Sequence, residues 1–114
     1  MNNVQVSLQV SDAIGTVSAE YTVPGNPIAV LILAHGAGAG MQHSFMVDLA
    51  NLLAQLGIVT LRYNFPFIEN KKGRADVPAV AHKTVAAAIE HAKEAFPSLP
   101  LFVLRLCNVR EFAR

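Results

Sequence analysis

Residues Ile28 to Ala34 read Ile-Ala-Val-Leu-Ile-Leu-Ala, seven apolar residues without a break, and the chain then passes into His35-Gly36-Ala37-Gly38-Ala39-Gly40. A strand with one wet face alternates polar and apolar residues. This run does not, so both of its faces must be covered, as in a parallel sheet with helices on either side. Gly36, Gly38 and Gly40 then open backbone angles closed to other residues and leave N–H groups unshielded by side chains. They stand where the strand ends, at the edge where open α/β sheets receive ligands. An anion or oxyanion site is expected there.

With 114 residues the chain forms one domain at most and is long enough to bury a core. Apolar residues make up 53% and charged residues 15%, and the mean hydropathy of +0.38 is high for so small a domain. His35, Asp48 and Arg62 break up the richest regions, so no window offers the ~20 apolar residues of a membrane helix. The N-terminus, Met1-Asn2-Asn3-Val4-Gln5, has neither a basic nor an apolar leader region. The single cysteine, Cys107, excludes an internal disulfide and suits a reducing compartment, so a cytoplasmic location is expected. A net charge of +1 gives no electrostatic case for nucleic acid.

Strict alternation over 4–10 and 17–23 predicts two half-exposed strands joined by the turn Ser11-Asp12-Ala13-Ile14-Gly15. Pro24-Gly25-Asn26-Pro27 leads from this antiparallel pair into the apolar strand. Phe45, Leu49, Leu52, Leu53 and Leu56 form a helical stripe, with Ser44 as its N-cap and Gly57 at its C′ position. Ile58 to Tyr63 is a β-branched strand, and 64–77 reads as a polar loop. Pro78 suits the first turn of a helix whose stripe is Ala81, Val85, Ala88, Ile89 and Ala92. Leu101 to Leu104 is the last strand. The order β-β-β-α-β-α-β predicts an α/β fold with a mostly parallel sheet and an N-terminal antiparallel pair. The 28–34 strand belongs between the 58–63 and 100–104 strands, with the alternating pair at one edge.

Three segments agree in order and spacing with one known family. Leu31-Ile32-Leu33-Ala34-His35-Gly36-Ala37-Gly38-Ala39-Gly40-Met41, then Leu61-Arg62-Tyr63-Asn64-Phe65-Pro66, then Gly73-Arg74 with Pro78 resemble the α/β hydrolases. The closer resemblance is to small predicted hydrolases of the dienelactone-hydrolase-like clan, related to testis-expressed and NSL-complex-subunit-like proteins. It covers about residues 4–103 and implies the N-terminal half of a three-layer sandwich, a truncated α/β-hydrolase domain over 1–103. The resemblance also implies that the loop after the third strand donates an oxyanion-hole N–H from the residue after His-Gly. That residue is Ala37, with Gly38 the alternative donor and His35, Gly36 and Gly40 supporting the loop. Such a donor must stand about 2.7–3.1 Å from the developing oxyanion.

The family's nucleophile follows the fifth strand, here 101–104, in a Gly-x-Ser-x-Gly elbow. Here the segment reads Leu104-Arg105-Leu106-Cys107-Asn108-Val109-Arg110, and counting puts Cys107 at the nucleophile's place. The elbow is strained and needs glycines two residues to either side. Arg105 and Val109 stand there instead. Residues 104–114 therefore read as an aberrant tail, as an early truncation or frame change would produce. No complete Ser/Cys-His-Asp triad is present, so Cys107 is expected to be an inert thiol and the chain catalytically incompetent as it stands.

Other readings compete at several positions. His35 reads as loop support rather than a base, His43 as a helix-entry residue, and His82 and His91 as solvated; no metal site or cofactor is expected. The glycine segment could instead cradle a phosphate before the helix from Ser44. It lacks the Gly-Lys-Ser/Thr of a P-loop, and Asn64 and Phe65 occupy the place of a dinucleotide fold's acid. Lys71, Lys72 and Arg74 read as a solvated basic run. Tyr63, Phe65 and Phe67 either line a cleft beside Ala37 or pack the core. The expected partners are a small acyl or ester ligand and a second copy of the chain, paired through the exposed edge of the last strand. The alternative is a non-catalytic interaction or anion-binding module using that edge or the glycine loop.

Overall fold

The computed structural model describes residues 2–34, 40–71 and 77–105. Its strands are β1 (Asn2–Ser11), β2 (Gly15–Val23), β3 (Ala29–Ala34), β4 (Ile58–Tyr63) and β5 (Leu101–Arg105). Its helices are α1 (Ser44–Gln55), α2 (Pro66–Glu69) and α3 (Pro78–Ala95). One mixed sheet runs in the order β1-β2-β4-β3-β5. β1–β2 and β2–β4 are antiparallel, and β4–β3 and β3–β5 are parallel. The unalternating strand thus lies between β4 and β5, and the alternating pair forms the edge, as the patterns predict. No helix among the described residues is long and apolar enough to cross a membrane.

Alternation along each strand divides the core into two layers. On one face Val17, Ala19 and Tyr21 of β2, Val30, Ile32 and Ala34 of β3, and Val59, Leu61 and Tyr63 of β4 pack with Ala88 and Ala92 of α3. Thr84, absent from the predicted stripe, is also buried and donates to the Val80 carbonyl at 2.9 Å, which satisfies its hydroxyl. His91, expected in solvent, is only half-exposed. Its Nδ1 lies 2.7 Å from the Tyr21 hydroxyl, and burial pushes the Tyr21 pKa up to about 12.

The opposite face is covered by α1, and here the sequence pattern places the helix but not its buried face. Met46, Ala50 and Ala54 are buried, whereas Phe45, Leu52 and Leu56 of the expected stripe are more than half exposed. Small residues at 50 and 54 let the helix axis approach the sheet, and the larger side chains project along its flank. The helix also begins one residue early in its capping. His43 is the N-cap, its Nδ1 accepting the Phe45 N–H at 3.2 Å, so Ser44 is the first helical residue. Gly57 does take the left-handed conformation, with φ 85°. The predicted loop at 64–77 contains the short helix α2, begun by Pro66 in its first turn.

Among the described residues β5 pairs with β3 alone, and Phe102, Val103 and Leu104 are 58%, 48% and 42% exposed. An open strand with apolar side chains on both faces recruits another strand. The purified chain is therefore expected to self-associate at micromolar concentration, as measured by size-exclusion chromatography with light scattering. Phe102→Lys with Leu104→Lys should return it towards monomer. A wild-type monomer that unfolds cooperatively would contradict this.

Candidate functional site

In the order β4-β3-β5 the chain winds from β3 to one side and then crosses to the other. Open α/β sheets bind ligands outside the carboxyl ends of their strands at such a reversal. His35, Gly36, Ala37 and Gly38 lie outside the described residues, as does Cys107. Of the glycine run, Gly40 is described. A Cβ there would stand 3.3 Å from both Asn64 Oδ1 and Ile68 Cγ2, tighter than ordinary packing allows. A side chain at 40 would push Asn64 and Ile68 back by a few tenths of an ångström.

What Gly40 approaches is a polar network built from the carboxyl end of β4. Arg62, 1% exposed, faces Glu20 directly across the β2–β4 register. The two form a buried ion pair between Arg62 Nη2 and Glu20 Oε2. Arg62 Nη1 donates to the Met41 carbonyl at 2.8 Å and to Gln42 Oε1 at 3.3 Å. Two residues along, Asn64 Oδ1 accepts the Met41 N–H at 2.9 Å. Asn64 Nδ2 donates to Glu69 Oε1 at 3.2 Å. Glu69, on α2, accepts from the Ser18 N–H at 3.0 Å and from the Ser18 hydroxyl at 2.9 Å.

These residues were not singled out as a site from sequence. The available signal was Arg62 itself, a charge inside a β-branched apolar strand that demands a buried partner. A polar cleft of about 500 Å³ opens beside the network, its lining including Gln5, Ser7, Ser18, Gln42 and Asn64. Tyr63, Phe65 and Phe67 do not line it. All three are buried in the core, with Tyr63 and Phe65 edge to face at 5.4 Å. Among the described residues no group of three His, Cys, Asp or Glu side chains could hold a metal ion.

A family model described as an alpha/beta hydrolase domain matches residues 27–104. The chain belongs to that family. As an α/β hydrolase it superposes on a lidless serine hydrolase from Xanthomonas campestris with TM-score 0.76 and 18% identity, over 93% of this chain and 51% of that one. A serine hydrolase homologue from Coxiella burnetii gives TM-score 0.75 and 20% identity, covering 93% and 52%. A dienelactone hydrolase from Anabaena variabilis gives 0.74 and 18%, covering 91% and 51%. At these identities the likeness is one of fold, and the chain spans about half the length of each. A search of curated proteins finds no match.

Burial would raise the Glu69 pKa, but the hydrogen bonds from the Ser18 N–H, the Asn64 amide and the Ser18 hydroxyl outweigh it and hold the carboxyl below its ordinary 4.5. A carboxyl whose folded pKa is depressed stabilises the fold above its unfolded pKa, and that contribution is lost as pH falls through the folded value. The wild type should therefore exceed Glu69→Gln in urea midpoint above about pH 5, with the gap closing as acid titrates the carboxylate. A gap that stays constant down to pH 3 would show that the charge is irrelevant.

Proposed function

We propose that this α/β hydrolase descends from esterase-like enzymes and keeps their oxyanion loop without a working nucleophile. The branch is that of the dienelactone-hydrolase-like clan and its testis-expressed and NSL-complex-subunit-like relatives, acting in the cytoplasm. In this reading the Ala37 N–H, or failing it that of Gly38, would face the carbonyl oxygen of a small acyl or ester ligand. His35, Gly36 and Gly40 would support the loop. Cys107 occupies the nucleophile's place but lacks the glycines that let an elbow form.

The observation that carries this reading is positional: within the matched segment 27–104, a glycine-rich run follows β3, the strand at which the winding reverses. Preorganised N–H donors at such a place stabilise developing negative charge. Without a working nucleophile they bind acyl oxygens and give only weak rate enhancement. The purified chain should hydrolyse p-nitrophenyl acetate and butyrate no faster than its Cys107→Ala variant. Turnover that disappears in Cys107→Ala would establish a working thiol and overturn the reading.

A further inference from the structure

The two backbone polar groups of Met41 are both taken by side chains of one strand terminus. Its carbonyl receives Arg62 Nη1 and its N–H gives to Asn64 Oδ1. No helix or sheet hydrogen bond would fix this residue, which precedes α1 by a short turn closed by the His43 N–H on the Gly40 carbonyl at 3.1 Å. The clamp thus decides where the chain re-enters α1 after the glycine run.

The direction of the Asn64 amide is imposed from elsewhere. An amide presents an acceptor on one side and two donors on the other, and its orientation follows its neighbours. Glu69 is an acceptor, held in place by the two donors of Ser18, so Asn64 must turn Nδ2 towards it. That leaves Oδ1 for Met41. Polarity therefore runs in one sense from β2 through α2 to the Gly40–Met41 backbone. A carboxylate at 64 could accept from Met41 but would set like charges beside Glu69.

We propose that Asn64 is a positioning residue, which with Arg62 holds Gly40–Met41 and so sets the backbone geometry presented to an acyl ligand. The proposal rests on the acyl-oxygen reading above, and it adds that the ligand-facing geometry depends on an amide polarised by Glu69.

The test compares the wild type, N64D and N64D/E69Q in full-length chain, by Met41 amide-exchange protection and by butyrate affinity from amide shift titration. N64D should lower Met41 protection at least tenfold at neutral pH and raise the butyrate Kd at least threefold. N64D/E69Q removes the like charge while the E69Q amide keeps its Oε1 on the Ser18 N–H, so both quantities should recover part of the loss. If N64D fails to fold, N64A supplies the broken clamp. Unchanged Met41 protection in N64D, or failure of E69Q to rescue it, overturns the proposal. Protection that follows the pattern while butyrate affinity stays constant also overturns it, leaving the acyl-oxygen reading intact. A wild type that binds no butyrate overturns that reading and the positioning role with it, even where protection follows the pattern.

Discussion

Arg62 is the residue around which the carboxyl end of this sheet is organised. It lies on a central strand among Val59, Thr60 and Leu61 and is almost wholly buried. An ion in such a place destabilises the fold by several kcal/mol unless it is paired and hydrogen-bonded. Glu20 meets it because β2 adds antiparallel to β4 in a register that sets the two residues opposite each other. A one-residue slip would turn every side chain of β2 to the other face. The pair therefore specifies register as well as neutralising charge. Arg62 Nη1 reaches Met41 and Gln42, which ties the chain entering α1 to the same strand, while its buried Nε has no hydrogen-bond partner among the described residues.

That arrangement explains the asymmetry of the two layers. The α3 face is filled by aliphatic and aromatic side chains. The α1 face carries Glu20, Thr22, Thr60 and Arg62 beside Met46, Ala50 and Ala54. Over these polar side chains α1 buries Met46 and its small residues and leaves Phe45, Leu52 and Leu56 more than half exposed. The small residues at the contact keep the α1 backbone near the sheet.

Strand identity and order were legible because each rests on a local pattern. Alternation marks β1 and β2, unbroken apolar sequence marks β3, and glycine at 57 marks the end of α1. The network was not legible, because its members are scattered and each has an ordinary solitary meaning. Glu20 sits in an alternating strand, where a charge reads as facing water. Asn64 and Glu69 fall in a stretch rich in loop formers, and only the fold brings Glu69 to Ser18. The buried face of α1 differs from its apolar stripe because periodicity reports an apolar face without saying which part of it meets the sheet. Periodicity likewise could not show that His91 meets a tyrosine of β2.

The central claim, that a buried Glu20–Arg62 pair holds β2, β4 and the approach to α1 together, is tested most directly by a double-mutant cycle. Urea denaturation of Arg62→Met, Glu20→Met and the double variant supplies its corners. Removing one partner should cost about 3 kcal/mol or more, because the other charge is left buried alone. The double variant should cost less than Arg62→Met by itself. Costs that simply add, with the double variant the least stable of the three, would contradict the claim.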